Sequence, residues 1–397
     1  MAEDYRPLAG IRVLDFTRVM AGPFCTALMA DLGAEVIKVE PPAGDDYRHI
    51  GPSKEGESAL FTLANRGKKS IVLDLKTAKG LELAQALAAK SDVVVENFRP
   101  GVARKLGIDC ETLQAANPRL IYASISGFGQ SGPFAERPAY DIIVQAMSGL
   151  MEATGEPDGP PTLVGEAIGD LSAGLFASWA VMAALFGRER TGKGQYIDVA
   201  MYDALFALLP TSIAQLFVTG KTPTRSGNRH PFSAPFGTYK SRDGHVVIAV
   251  LNDRLFQQLC AVIGREDLLQ DARYGSDHER SANEPSLRAA LEGWTTERDS
   301  AELLAILAEH GIPAAPIWNI QQAVSSEHVR QRQLVTDVEH PKLGTIQVME
   351  QPVHFRGRAR GKLAPPPGLG QHSESVLRDV LGLASDEIDA LRAAKAI

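Results

Sequence analysis

Cysteine is scarce in this chain. Cys25, Cys110 and Cys260 stand far apart among 397 residues and form no C-x-x-C pair. No disulfide framework is encoded, and a reducing, cytoplasmic setting is expected. No histidine or cysteine pair has zinc-ligand spacing, so no metal is expected. Positive charge is not in excess either: Lys and Arg number 41 against 48 Asp and Glu, a net charge of -7. A duplex nucleic-acid binder is usually basic, so that partner is not expected. Long apolar runs are missing too. The longest uncharged apolar stretch, residues 171–187, is 17 residues, closed by Asp170 and Arg188. That is short for a membrane span, and a buried core helix is the expectation, with no membrane partner. The acidic, polar start MAEDYRPLAG does not read as a signal peptide. No repeat or low-complexity tract interrupts the chain. What is present is an ordinary globular composition, 44% hydrophobic and 22% charged, which excludes a disordered or collagen-like chain. The length suggests two domains, with a third possible, and a core that needs no metal or disulfide staple.

Short β-branched runs alternate with helical patterns. Residues 11–16 (IRVLDF), 35–40 (EVIKVE), 70–75 (SIVLDL), 92–96 (DVVVE) and 120–125 (LIYASI) read as strands. Their nearly continuous apolar character fits a parallel sheet covered on both faces. Helical patterns at 23–32 and 78–90 lie between them, so an open α/β sheet is predicted. Apolar helices follow at 171–186 and 200–217, the second interrupted by Pro210. Residues 218–237 are rich in Gly, Pro, Thr and Ser and read as a linker or binding loop. Beyond them comes one clear strand, 245–251, with helices at 253–263, 285–294 and 300–310. The expected division is 1–220 for a large domain, 227–320 for a smaller α/β domain, and 330–397 returning to the first. The segment 348–370 carries Arg356, Arg358, Arg360, Lys362 and the prolines 365–367, and must be extended. A last helix, 374–391, has apolar spacing suited to docking on the first domain.

Several familiar motifs are excluded. Residues 187–193 (GRERTGK) match part of a phosphate loop, but Gly194 stands where the magnesium-binding Ser or Thr belongs, and a helix precedes it. The first strand-to-helix turn, DFTRVMAGPF, lacks G-x-G-x-x-G, so a dinucleotide is not implied. Residues 126–132 (SGFGQSG) are not a G-x-S-x-G elbow.

What remains is a set of polar residues at strand ends and helix starts, where an open α/β sheet binds its ligand. Arg18 and Met20 follow the first strand, Lys76 the third, and Asn97, Phe98 and Arg99 the fourth. Lys105 opens the next helix, and Tyr140 follows the glycine loop 127–132. Converging there, they form a basic crevice suited to a phosphate-bearing ligand. Asp170, in GDLSAG directly before an apolar helix, has two readings. One is a helix N-cap. The other is a carboxylate nucleophile on a small-residue turn, its charge held by the helix N-terminus.

The segments LAGIRVLDFTRVMAGPFCTALMADLGAEVIKVEPP, VVVENFRPGVARKLG, SGFGQSGP, RPAYD, IGDLSAG, RTGKGQYIDVAMYDAL and PPPGLGQH run from residue 8 to 372. With them the chain resembles the family III CoA-transferases, the group of formyl-CoA transferase and the carnitine CoA-transferases, which includes α-methylacyl-CoA racemase. Within it, the closest likeness is to the succinyl-CoA:dicarboxylate CoA-transferases. The resemblance implies a Rossmann-like large domain with an open parallel sheet, a smaller α/β domain, and two subunits interlocked as a homodimer. It implies that Asp170 is the nucleophile, working through aspartyl anhydrides and an aspartyl-CoA thioester. CoA or acyl-CoA would be a substrate, with no permanently bound cofactor. Carried over by position, Val19, Leu73, Lys76, Asn97, Phe98, Arg99, Lys105, Arg137 and Tyr140 would meet CoA. The bland readings are a strand residue for Leu73 and solvated charges for Lys76 and Lys105.

Racemase relatives carry His in an A-G-H-D version of residues 138–141, which here read Pro-Ala-Tyr-Asp. Tyrosine, with an ordinary pKa of about 10, is a poorer base near neutrality, which favours transferase over racemase. Met20 stands where formyl-CoA transferase has glutamine, and residues 250–253 (VLND) where it has glycines. Both differences point away from an oxalate/formate pair and toward an aliphatic acyl chain. Arg18, Arg48, Arg229 and His230 are candidates to meet a distal carboxylate. The expected activity moves CoA from succinyl-CoA to a short dicarboxylate such as itaconate, mesaconate, citramalate or glutarate. The alternatives are a racemase, a formyl-CoA:oxalate transferase, or a CoA-binding protein without turnover.

Overall fold

The computed structural model describes residues 5–359, 361–394 and 396–397. The first four residues of the acidic start and Arg360 of the basic run lie outside the described residues. The chain divides into two units, one of Met1–Leu150, Leu163–Ala214 and His328–Ile397, the other of Met151–Thr162 and Gln215–Glu327.

The larger unit is built on six parallel strands: β1 (Arg12–Asp15), β2 (Glu35–Glu40), β3 (Lys69–Val72), β4 (Val93–Glu96), β5 (Ile121–Ser126) and β6 (Tyr196–Ala200). Their order is β3-β2-β1-β4-β5-β6. Chain direction across the sheet reverses between β1 and β4, and the crevice beyond their carboxyl ends is where such a sheet receives a ligand. Side chains alternate between two cores. Val13, Val36, Val93 and Ile121 face a layer of α1 (Ala21–Asp31), α3 (Asp141–Ser148), α4 (Ile168–Thr191) and α5 (Met201–Ala207). Leu14, Ile37, Ile71 and Val94 face the opposite layer, which holds α2 (Ala78–Ala89) and the C-terminal helices.

The sequence pattern showed no strand at β6, which lies just ahead of the apolar helix expected from residue 200. It is a short edge strand whose side chains alternate between half-buried and exposed, so it lacks the apolar run of the central strands. The final helix is two, α6 (Ser373–Leu381) and α7 (Ser385–Ala393), broken where Gly382 turns left-handed at φ 73°. Val376, Leu377, Ile388 and Leu391 enter the core beside α2. Ahead of them, the His372 amide donates to the Ser70 carbonyl, and the Val72 amide to Ser373 Oγ. The free edge of β3 is thereby covered.

The long helix α4 extends beyond the expected run. By length and composition it is the one single helix among the described residues able to cross a membrane. Ala173, Ala177 and Val181 are buried in the core, but Leu175, Trp179 and Phe186 are more than half exposed. It is therefore a core helix on one side only.

In the smaller unit an antiparallel sheet contains Phe236–Ser241, Gly244–Ala249 and Ala314–Pro316. The helices Asp253–Val262, Glu284–Thr295 and Ser300–Glu309 share its core. The first strand, FGTYKS, was hidden at the end of the glycine- and proline-rich stretch. It is recognisable only through its hairpin partner.

Leu377 is fully buried on α6. Leu377→Ala should destabilise the larger unit by about 2–5 kcal/mol, the usual range for an emptied core site. The check is a lower urea midpoint followed by far-ultraviolet circular dichroism.

Candidate active site

Asp170 is the third residue of α4, one turn inside the helix rather than at its cap. The cap position is Ala167, which has no side-chain acceptor. Asp141, the first residue of α3, takes that duty. Its Oδ1 accepts the Gly169 amide at 2.6 Å, and its Oδ2 accepts Gln145 Nε2 at 2.6 Å. The N-cap reading of Asp170 is thus corrected. A carboxylate from another helix satisfies the orphan amide, and Asp170 is left for chemistry.

The main-chain amide of Ala21, the first residue of α1, favours the ionised form of the Asp170 carboxyl. Two helix N-termini therefore converge on one carboxylate. The approach depends on Gly174, where a Cβ would stand 2.6 Å from the Ala21 carbonyl oxygen. Burial and then the nearby Asp141 charge push the Asp170 carboxyl up to about 7, against the Ala21 hydrogen bond. A carboxylate with so high a pKa is a better nucleophile than an ordinary one.

The loop between β1 and α1 lies beside it. Val19 sits in the left-handed region at φ 68°, an uncommon conformation for a β-branched residue. Asn97 grips the preceding peptide from both sides: Oδ1 accepts the Arg18 amide at 2.9 Å, and Nδ2 donates to the Arg18 carbonyl at 2.7 Å. After β4, the buried Glu96 accepts the Phe98 amide at 2.7 Å and the Ser124 hydroxyl. Burial pushes Glu96 up to about 7.

A cavity of about 890 Å³ opens over Asp170. Arg18, Val19, Asn97, Phe98, Arg99, Arg137 and Tyr140 line it. A second, of about 900 Å³, is lined by Leu73, Lys76, Leu75 and Leu106. Arg18, Asp46 and Phe98 belong to both linings. Ten of the fifteen residues singled out from the sequence thus line one cavity or the other, and Arg229 belongs to the smaller unit. Lys105 is exposed at the end of the short helix Val102–Lys105 and lines neither, and Met20 lies at the N-cap position of α1. Arg48 is committed elsewhere: it grips Glu40 with two hydrogen bonds of 2.7 Å and lies 3.7 Å over the Phe61 ring. His230 belongs to the smaller unit, stacked on Phe236.

Ala21, Asp46 and Met201, which also line the first cavity, were not singled out from the sequence, nor was the capping role of Asp141. Tyr47 was missed as well; burial first, and then the Asp170 charge, raise its hydroxyl. Ala21 acts through its main chain, which no residue pattern reveals.

The profile of CoA-transferase family III matches residues 8–373. The chain belongs to CoA-transferase family III. An acetyl-CoA:oxalate CoA-transferase of Acetobacter aceti is 45% identical over 88% of this chain and 90% of its own length. A succinyl-CoA:glutarate CoA-transferase of Mus musculus is 39% identical over 98% of this chain and 90% of its own. The crystal structure of a CAIB/BAIF family protein from Brucella suis superposes with a TM-score of 0.86 at 39% identity, covering 96% of this chain and 100% of that one.

In this family III transferase the raised Asp170 carboxyl has two measurable consequences. For the free enzyme, kcat/KM for the acyl-CoA should rise as pH climbs through about 7. Asp141→Asn keeps an acceptor for Gly169 and removes the like charge, so it should move this limb to lower pH. An unmoved limb would show that Asp141 charge is not felt at Asp170. The folded-state pKa lies above the unfolded one, so burying the charge destabilises the fold fully above about 7 and not at all below about 4. Asp170→Asn should accordingly stabilise the protein by roughly 1–3 kcal/mol at pH 8, discounted for partial solvent access, and by little at pH 4. Thermal unfolding at the two pH values reads the difference.

Proposed function

We propose that the protein transfers CoA from succinyl-CoA to a short dicarboxylate, with Asp170 as covalent nucleophile. The observation that carries the reading is the Asp170 carboxylate, relieved of capping by Asp141 and held at a cavity wall by the Ala21 amide. A carboxylate suits an exchange between carboxylic acids, because each step trades near-equivalent leaving groups and needs no ATP.

Asp170 attacks the donor thioester carbonyl; the C–S bond breaks, leaving an acyl–aspartyl anhydride and CoA thiolate. The thiolate attacks the aspartyl carbonyl and releases the donor acid as carboxylate, leaving aspartyl-CoA thioester. The acceptor carboxylate attacks that thioester, forming a new anhydride and freeing thiolate. Thiolate then takes the acceptor acyl group and restores Asp170. No proton is gained or lost overall. Each tetrahedral intermediate carries an oxyanion, and amides at the α1 and α4 N-termini suit its stabilisation, each well-placed donor contributing about 3–4 kcal/mol.

The cavity walled by Leu73, Leu75, Leu106 and Lys76 suits the nucleotide end of CoA, and the cavity of Asp170 and Tyr140 its thioester. Arg18, half exposed and 3.6 Å from Asp46, is a cation of this cavity suited to a distal carboxylate, whereas Arg48 is spent on Glu40. The names of the relatives from mouse and Acetobacter support a dicarboxylate acceptor, glutarate in one and oxalate in the other. Mesaconate, itaconate and citramalate extend the series. The apolar face of Leu175, Trp179 and Phe186 supports an interlocked homodimer that covers it. The three cysteines, all free, accord with a cytoplasmic setting.

A panel of acyl-CoA donors and carboxylates, read by mass spectrometry, tests the substrates. Exchange is expected between succinyl-CoA and at least one dicarboxylate; exchange with none of them overturns that assignment. Asp170→Ala should lose transfer while retaining CoA affinity, and stopped turnover of the unaltered enzyme should add CoA mass to the peptide bearing Asp170. Near-normal turnover of Asp170→Ala overturns the nucleophile. Solvent deuterium at the α-carbon without an acceptor would indicate a racemase instead.

A further inference from the structure

Beneath the loop that presents Ala21 lies a group of charged side chains, two of which, Glu40 and Asp45, also border the second cavity. Asp15, Lys38, Lys68, Asp45 and Glu40 are all within 2% of complete burial or nearly so. Burying five charges is unfavourable unless each finds a partner, and here the partners include one another and three main-chain atoms of residues 17–19. Asp15 Oδ1 accepts the Thr17 amide at 2.8 Å. Lys38 Nζ donates to the Thr17 carbonyl at 2.7 Å and lies 2.8 Å from Asp45 Oδ2. Asp45 Oδ1 accepts the Val19 amide at 3.1 Å and the Tyr47 amide at 2.9 Å. The Asp45 amide is held in turn by Glu40 at 3.0 Å.

From these contacts we infer that Asp45, fixed by Lys38, is a positioning residue that holds Val19 in its left-handed conformation and so aims the Ala21 amide at Asp170. A valine placed freely at φ 68° relaxes toward extended or helical backbone, because its branched Cβ crowds the adjacent peptide. Two residues later the chain enters α1. A relaxed Val19 therefore rotates the first amide of that helix away from the carboxylate. The anchor must be buried, so that water does not compete for the Val19 amide. The Val19 amide is bound by a carboxylate that solvent does not reach, and Lys38 fixes that carboxylate from its other oxygen. The same loop contributes Arg18 to the wall shared by the two cavities, so its shape also bears on where the thioester lies.

This inference rests on Asp170 as the nucleophile, and its test separates the two. In a Lys38→Met background, which leaves no lysine unpaired, Asp45→Asn retains an oxygen for the Val19 amide and Asp45→Leu does not. Between these two folded proteins, kcat should fall at least about tenfold while KM for the acyl-CoA changes less than about threefold, since the lost contact serves the reacting carboxylate. Adding Val19→Gly to the Asp45→Leu protein should recover much of the loss, because glycine adopts φ 68° without an anchor. Equal kcat in the Asn and Leu proteins, or no recovery with glycine, overturns the inference. Hydrogen exchange at single-residue resolution on the unaltered protein gives a reading that needs no variant. The Val19 amide should exchange orders of magnitude more slowly than an open loop amide, and open-loop exchange overturns the anchor. Failure of the nucleophile reading shows separately, as turnover by Asp170→Ala.

Discussion

The N-termini of α1 and α4 lie against one another at Gly174, with the Ala21 carbonyl so near that no side chain fits between them. The geometry of the site follows from this contact. Because the helices approach so closely, the orphan amide that begins α1 meets the carboxylate in the first turn of α4. Because α4 needs a cap of its own, Asp141 must supply it from α3. One tight helix crossing therefore places Ala21 near Asp170 and leaves the capping of α4 to Asp141.

The electrostatics are a compromise. Asp141 stabilises the helix start but places a second negative charge near Asp170, and burial adds to the effect. The helix N-termini and the Ala21 amide counter this, leaving a carboxyl balanced near neutrality. That balance favours chemistry over stability, as is common where a fold carries a reactive group. The charges below the loop obey the opposite rule. Burial alone would raise the Asp15 carboxyl, yet Lys68, Lys38 and two threonine hydroxyls bring it down to about 2. Asp15 is held ionised against Lys68 and the Thr17 amide, whereas burial and the Asp141 charge raise the Asp170 carboxyl to about 7.

The sheet order places these features together. With β1 and β4 adjacent and the order reversing between them, the loops after both strands reach the same crevice. Asn97 then joins them directly by gripping Arg18. A residue expected to contact the ligand through family likeness also has this structural task.

The central strands were legible because parallel strands covered on both faces write an unbroken apolar run, as in VVVE and EVIKVE. Edge strands were not: YIDVA and FGTYKS bury only alternate residues, and their pairing partners lie distant in sequence or across a turn. Asp170 stood out through its glycine-flanked segment and the family resemblance. Whether it capped its helix was beyond the sequence, because the competing cap lies 28 residues earlier on another helix. Arg48 and Arg18 were equal candidates on paper; only packing revealed that Glu40 and Phe61 had taken the first. The sequence by itself determined the central strands and the family and singled out Asp170 as a candidate, because these are written in local pattern and motif. The tertiary structure alone decided its environment, because caps, charge partners and a main-chain donor are brought together by helix packing and carry no local signature.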